Sequence, residues 1–455
     1  MKYDVVIIGG GPGGYTCALD CASYGLKTAI VEKDLMGGTC LNRGCIPTKT
    51  LLFAADLLID MKKAEKFGLS SGVVRADYPA LRKRCEEVVT GLRNGLITSL
   101  KKAKIDILEG IGQVPEAGHV TVKNADGETA LEADSIVLAA GGTPAVPPIP
   151  GADLPGVYDS DSFLGTLPQL HRLIIIGGGV VGCEFAEAYG AYGAEVTIIE
   201  MMPRLLPPFD ADPAKRLAAE FKKKGISVVT KAAVREIRKT DDGLTVVYEL
   251  GGKEYTKEAD GVLIATGRRP STKDLVTPEI KMNRGCYEVN DCFETSIPHI
   301  YAVGDIASGY IQLAHAAEAE GKIAAAAIAG KSCGINPRLI PQCVYTLPEI
   351  ATVGISEDDA KGKGIKLISG KSVMGSNAKS LISDTGGSVK LLAGEDGKLL
   401  GAQFYCRGAD NMIGEAALAI EHGMTVREFL KITRPHPSVE EALGAASEDL
   451  LKKIK

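Results

Sequence analysis

The sequence predicts an α/β fold: two Rossmann-like dinucleotide-binding domains followed by a smaller C-terminal α+β domain. Three observations carry this. An apolar strand, a Gly-rich turn and a helix occur in that order twice. Each copy closes on a carboxylate after a second apolar strand, and Gly9 to Glu32 spans the same 23 positions as Gly177 to Glu200. A single Gly-x-Gly-x-x-Gly is weak evidence, but two copies in the right context are strong. The 455 residues are 45% hydrophobic and 24% charged, enough to bury several ordinary cores. At roughly 100–200 residues per domain, that is three or four domains.

Taken in order, residues 3–8 form a continuous apolar run stopped by Gly9-Gly10-Gly11, which suits a strand buried on both faces. A helix over 12–24 and a strand over 27–32 complete the first unit. Residues 48–104 are helix-rich, and short strands then lead to 135–140 and a Gly141-Gly142-Thr143 stop. The Pro-rich segment 143–150 reads as a stiff crossover. The second unit is a strand over 173–176, a helix over 180–192 and a strand over 195–200. Its last strand, 261–266, ends in Gly267-Arg268-Arg269-Pro270, mirroring the first stop. A last domain, a mixed sheet with helices, begins near 338–341. The expected boundaries are 1–143, 144–266, 267–338 and 339–455.

In the first unit Gly9, Gly11 and Gly14 permit the tight turn, the approach of a pyrophosphate and close helix–strand packing. Helix N-terminal amides then face the phosphates. Glu32 stands where a carboxylate accepts hydrogen bonds from a ribose diol. Gly177, Gly179, Gly182 and Glu200 repeat the arrangement. A 2′-phosphate at Glu200 would meet a negative charge, so NAD is favoured over NADP; Arg204 nearby reads as a solvated loop residue or a phosphate ligand. One enzyme rarely needs two NADs, whereas a flavin and a nicotinamide exchange hydride. Residues 301–305 end in Gly304-Asp305, a close-approach glycine and a carboxylate for sugar hydroxyls or a plain helix cap, ahead of an Ala-rich helix over 312–329.

Charge and cysteine content exclude other classes. With 52 basic and 57 acidic residues, net charge −5, and no basic block, nucleic acid is not an expected partner. No stretch is apolar for long enough to predict a membrane span, and Met1-Lys2-Tyr3-Asp4 runs into a strand without a signal peptide. This argues for the cytoplasm, where the 11 cysteines would be mostly reduced. Cys40 and Cys45 stand out, at the head of a helix beginning Ile46-Pro47-Thr48-Lys49. Residues five apart on a regular helix are about 8–9 Å apart, too far for a disulfide's roughly 4.4–6.8 Å. Bonding would need a distorted first turn, which Gly44, Gly37 and Gly38 make inexpensive. A strained disulfide at a helix N-terminus is reducible. A metal pair and two unbonded core thiols are the alternatives; no second Cys/His pair lies at ligand spacing, so no metal is expected.

Taken together, Gly9–Gly14, Cys40-x4-Cys45 with Ile46–Lys49, the second Gly cluster followed by Glu184, Gly304-Asp305 and the late His436-Pro437 resemble the flavin-dependent pyridine nucleotide-disulfide oxidoreductases, from Met1 nearly to Lys455. Glu200 and the run Leu313-Ala314-His315-Ala316-Ala317-Glu318 are most similar to the lipoyl enzymes of that family. No vicinal Cys pair closes the C-terminus as in mercuric reductase. Two positions depart from the lipoyl pattern: Arg434 stands where a first His is usual, and Leu347 where a polar residue is common.

The resemblance implies FAD and NAD as cofactors and oxidation of protein-bound dihydrolipoamide to lipoamide through a Cys40–Cys45 redox disulfide. Cys40 would form the mixed disulfide with substrate, and Cys45 would lie nearer the flavin. His436 would be the base, oriented by Glu441, and Lys49 and Glu184 an ion pair beneath the flavin. The C-terminal domain would be a dimerisation domain, making an obligate homodimer in which the base of one subunit completes the site of the other. The substrate would arrive on a lipoylated domain of another chain, part of a 2-oxoacid dehydrogenase or glycine cleavage system. Alternatives are a reductase of another small disulfide, using NADH or NADPH, and a non-catalytic flavoprotein subunit.

Overall fold

The computed structural model describes residues 1–70 and 72–454. Its first strand, β1 (Lys2–Ile8), ends in four β-branched residues, of which Val5, Val6 and Ile7 are fully buried. α1 (Pro12–Ser23) opens on Pro12, at a position where the missing N–H leaves no bond unmade. β2 (Thr28–Glu32) returns parallel to β1, with Val5 opposite Thr28. Three helices follow: α2 (Gly38–Arg43), α3 (Cys45–Lys62) and α4 (Tyr78–Lys102). Asp77 caps α4 by accepting from the Ala80 N–H. β3 (Asp106–Glu109), β4 (Ile111–Glu116), β5 (His119–Asn124) and β6 (Gly127–Leu138) complete the sheet in the order β3-β2-β1-β6-β5-β4, and Ile300–Ala302 adds a parallel strand beside the end of β6.

The second sheet has five parallel strands, ordered Ser227–Thr230, Glu195–Glu200, Arg172–Ile176, Gly261–Ile264 and Val157–Asp159. Its helix Val180–Tyr192 and strand Glu195–Glu200 have the bounds that the pattern of glycines and apolar residues predicts. The two stops that mirror one another in sequence meet in space: Gly142–Pro144 pairs antiparallel with Arg268–Pro270. The outgoing and returning crossings thus form one two-stranded ribbon.

The last sheet corrects an expectation. It is antiparallel throughout, not mixed, in the order Gln342–Val344, Glu349–Gly354, Leu399–Cys406, Gly387–Ala393, Ile368–Val373. Gly387–Ala393 and Leu399–Cys406 are joined by a short connection, which only antiparallel pairing permits.

Packing between these parts positions the site. Leu51, Leu52 and Ala55 of α3 share one buried cluster with Cys183, Phe185, Ala186 and Tyr189 of helix Val180–Tyr192, and with Val344 and Ile350 of the last sheet. Helix Ala314–Ile328 lies against α1 so closely that a Cβ on Gly321 would come 2.4 Å from the Gly13 carbonyl oxygen. Among the described residues no helix is long and apolar enough to cross a membrane.

Candidate active site

The two Gly-rich turns have the same construction. Gly9 and Gly177 have φ of +113° and +110°, and a Cβ on either would clash with a carbonyl of the neighbouring strand's end, Ala139 at 2.2 Å or Ala265 at 2.5 Å. Gly14 and Gly182 let the helix ride on the turn, since a Cβ there would stand 1.9 or 2.0 Å from the oxygen of Gly9 or Gly177. Space remains in front of the helix N-termini. A Cβ on Gly179 would meet nothing within 4 Å, and one on Gly11 only the Gly38 Cα at 3.9 Å. Open backbone at a helix N-terminus suits the pyrophosphate of an adenine dinucleotide, so the chain's own residues fit two such groups.

Each strand-end carboxylate also braces its turn. Glu32 accepts from the Gly10 N–H at 2.7 Å and the Asp34 N–H at 2.8 Å. Glu200, 7% exposed, accepts from Gly178 at 2.5 Å and Met202 at 2.6 Å. Burial pushes the Glu32 carboxyl upward, against the Gly10 hydrogen bond. Arg204 is not a freely solvated loop residue. It is half-buried and donates to the carbonyls of Pro207 and Phe209, with Asp358 at 3.1 Å, so its guanidinium is held by its own loop and by the last domain.

Asp305 caps no helix. It lies in a short 3-10 turn, Gly304–Ile306, and helix Ala314–Ile328 starts later. A Cβ on Gly142 would come 3.1 Å from its Oδ2, so the crossing ribbon lies directly against the carboxylate. Burial raises the Asp305 carboxyl, and Arg268 opposes the rise. His315 is engaged elsewhere, with Nε2 2.7 Å from the Pro341 carbonyl oxygen.

Cys40 lies in α2 and Cys45 opens α3. Between them Gly44, at φ −143° and ψ −115°, breaks the helix that would otherwise hold the two apart. A Cβ on Gly44 would come 2.9 Å from the Thr39 carbonyl oxygen, so only glycine fits this break. Both cysteines are free thiols, similarly half-buried, in hydrogen-bonding contact. Exposure does not distinguish the two, but their charged neighbours differ. The hydrogen bond from Cys40 and the nearby Lys49 ammonium bring the Cys45 thiol down to about 7, against the cost of burial. Cys40 goes the other way, raised by its bond to Cys45 and by burial. Cys40 also lines a cleft of about 320 Å³ with Leu41, Ile46, Leu92, Leu96 and Glu318.

Lys49 stands one helical turn beyond Cys45. Its Nζ lies 2.9 and 2.8 Å from the two oxygens of Glu184, which is 2% exposed, and 4.6 Å from the centre of the Tyr345 ring. The Tyr345 N–H donates to the same carboxylate at 3.1 Å. Thus α3, helix Val180–Tyr192 and the last domain meet at one ion pair. Burial works against the Lys49 charge, yet Glu184 and the thiols raise it on balance.

His436 and Glu441 form a second cluster. Nδ1 of His436 is 2.9 Å from Glu441 Oε1, and the other carboxylate oxygen accepts from the Ser438 N–H at 3.0 Å. That N–H and His436 hold the Glu441 carboxyl low. The imidazole side chain is 73% exposed, and neither residue has a hydrogen-bonding partner on α2 or α3. The dyad is therefore built, but one chain does not bring it to the cysteines. Arg434, in the position of the usual first His, is buried, pairs with Glu415 and lies 4.8 Å from the Phe429 ring centre.

Sequence reasoning missed three residues here. Arg268 joins Thr39, Gly142 and Asp161, tying the cysteine helix to both crossings. Tyr345 supplies the ring and N–H described above. Glu187, one turn beyond Glu184, is buried and holds Lys224 and the Leu347 N–H. The Arg-Arg-Pro after a strand end and a second glutamate at i+3 were the available signals. Among the described residues no group of His, Cys, Asp and Glu could hold a metal.

Comparison with known proteins adds the following. Residues 3–321 match the family described as pyridine nucleotide-disulphide oxidoreductase, and residues 340–447 its dimerisation domain. The chain is 37% identical to a dihydrolipoyl dehydrogenase of Geobacillus stearothermophilus, over 98% of this chain and 96% of that protein. It is 36% identical to a dihydrolipoyl dehydrogenase of Bacillus subtilis, over 98% and 97%. Among solved structures, LpdA from Mycobacterium tuberculosis superimposes with a TM-score of 0.90 at 25% identity, covering 98% and 99% of the two chains. The HOCl-induced flavoprotein disulfide reductase RclA from Escherichia coli, solved as a Cu(II) complex, gives 0.86 at 29% identity, over the full length of both.

Proposed function

The chain belongs to the pyridine nucleotide-disulphide oxidoreductase family, and from that premise we propose that it is an NAD-linked enzyme oxidising protein-bound dihydrolipoamide to lipoamide. The observation that carries this is the placing of the thiol pair across the Gly44 break. Cys45 lies one helical turn from Lys49, which is paired with Glu184, while Cys40 faces an apolar cleft.

In this reading the resting enzyme holds a Cys40–Cys45 disulfide. A substrate thiolate attacks Cys40 Sγ, the S–S bond breaks, and Cys45 leaves as a thiolate paired with the Lys49 charge. The second substrate thiolate then attacks the substrate sulfur of that mixed disulfide, closing the lipoyl ring and releasing Cys40. Exchange proceeds through thiolates, so a base must take the substrate protons. His436 of the partner subunit, held by Glu441, is that base, which is why the dyad stands away from the cysteines of its own chain. Glu32, Gly9, Gly11, Gly14, Lys49 and Asp305 would hold FAD; Gly177, Gly179, Gly182, Glu184 and Glu200 would line the NAD side. FAD, when bound, carries the electron pair from the thiols to NAD.

The segments 1–143, 144–266, 267–338 and 339–455 then serve as FAD-binding, NAD-binding, central and dimerisation domains. The enzyme works as a cytoplasmic homodimer, and its substrate is a lipoylated domain of another chain in a 2-oxoacid dehydrogenase or glycine cleavage system. A panel of dihydrolipoamide with NAD or NADP, and of glutathione disulfide with NADH or NADPH, tests the reading. NADH formation from dihydrolipoamide is the expected leading activity. Preference for another disulfide overturns it.

A further inference from the structure

Glu320 is 2% exposed on the Ala-rich helix Ala314–Ile328, and the reaction described above gives it no part. Its Oε2 accepts from the Gly304 N–H at 2.6 Å. The same clip occurs at both Gly-rich turns, from Gly10 to Glu32 at 2.7 Å and from Gly178 to Glu200 at 2.5 Å. In all three a buried or half-buried glutamate braces a turn at a glycine of positive φ, here Gly304 itself at +75°. The third clip differs in origin. The carboxylate comes from a helix 16 positions downstream rather than from the end of a neighbouring strand. Gly321, the next residue, locks that helix onto the first turn of α1 through Gly13. Gly304 in turn is followed by Asp305, whose carboxylate abuts Gly142.

We propose that Glu320 is a positioning residue for flavin binding: it fixes the Gly304–Asp305 turn so that the Asp305 carboxylate is aimed at the cofactor. This rests on the FAD reading given above. Burying a donor without an acceptor is costly. Without the Glu320 acceptor the turn of the cofactor-free protein is free to relax and give the Gly304 N–H to water. Binding requires the ordered turn, so losing Glu320 weakens binding rather than only the fold.

Purified dimer stripped of flavin is titrated with FAD, following quenching of flavin fluorescence, for wild type, Glu320→Gln and Glu320→Leu. Gln keeps an acceptor without the charge, whereas Leu keeps the bulk without an acceptor. The expected result is FAD binding about tenfold or more weaker for Leu, with Gln within about threefold of wild type and unchanged circular dichroism for both. Equal affinity in Leu and wild type overturns the assignment. Wild type that binds no FAD overturns the flavin reading and this inference with it. A measurement free of variants covers a Leu form that does not fold: hydrogen exchange of wild type. Slow exchange at Gly304 in the flavin-bound dimer is expected, and free exchange there overturns the clip.

Discussion

Lys49 and Glu184 are 135 positions apart, yet the Lys49 ammonium bridges both oxygens of the Glu184 carboxylate, at 2.9 and 2.8 Å. The contact exists because α3 packs its Leu51–Leu52–Ala55 face on helix Val180–Tyr192. A buried carboxylate costs free energy unless it is paired and hydrogen-bonded. Here the Tyr345 N–H supplies a further hydrogen bond.

Removing one partner should therefore hurt more than removing both. Lys49→Met leaves Glu184 buried and unpaired and should destabilise by about 3 kcal/mol, whereas Lys49→Met/Glu184→Leu should lose less. Urea midpoints of the three proteins decide this. A double variant less stable than the single one would contradict the desolvation argument.

The Cys45 thiol should titrate near pH 7, because Cys40 donates to it and Lys49 stands beside it. Iodoacetamide alkylation of Cys45 against pH, on protein reduced beforehand, should show a midpoint about there in wild type. Cys40→Ala, which removes the donor, and Lys49→Met should both move it upward. Taken alone, a Cys45 thiol lowered from 9.0 to about 7 adds stability in full above pH 9 and loses it as pH falls to about 7, while the raised Cys40 thiol acts with the opposite sign. Midpoints that ignore Lys49 would remove its electrostatic role.

Glu320 and Glu349 have the opposite sign. Burial raises both carboxyls from 4.5 to about 8, with Asp410 adding to the rise at Glu349. Their protonated forms favour the fold, so this contribution is complete below pH 4.5 and is lost between 4.5 and about 8. Glu320→Gln should flatten the fall in thermal midpoint over that window. An unchanged slope would mean that Glu320 titrates near its ordinary value.

His436→Gln should cut dihydrolipoamide oxidation by about 10²–10⁴, the usual contribution of a positioned base, with FAD content unchanged. If His436 acts across subunits, mixed dimers of His436→Gln and Cys45→Ser chains recover activity, because one of their two sites is intact. No recovery would place the base elsewhere.

Glu200 should govern coenzyme choice. Two unit charges about 4 Å apart at an effective dielectric near 20 repel by about 4 kcal/mol at most, so NAD should be preferred by about a hundredfold or more. Since Glu200 also holds the Gly178 and Met202 N–H groups, Glu200→Gln is the informative variant. It should keep one of those two N–H bonds, remove the charge and raise NADP use, and Arg204, tied to Phe209 and Asp358, should not assist. Equal wild-type efficiency with both coenzymes would contradict this.

What could be read in the sequence was local. Glu32 and Glu200 sit at a fixed distance from their glycines because strand, turn, helix and strand have fixed lengths. Gly44 announced a break between Cys40 and Cys45 because only glycine tolerates it. What could not be read depends on partners distant along the chain. The acceptor at Gly304 is a glutamate among alanines on a later helix, and burial there is invisible without the Gly13–Gly321 contact. Strand order in the last sheet runs from Glu349–Gly354 to Leu399–Cys406, a pairing that no period of two encodes. Lys49–Glu184 was accessible through family resemblance, not through spacing.

Cys40 and Cys45 should exchange electrons with a dithiol. Oxidised enzyme is mixed with dihydrolipoamide without NAD, alkylated, and mapped by mass spectrometry. Cys40 and Cys45 should pass together from protected to labelled, and added NAD should restore their protection, while buried Cys17, Cys21, Cys183 and Cys406 stay unlabelled. Labelling of Cys40 and Cys45 that ignores the dithiol, or a different pair that responds, would contradict the account.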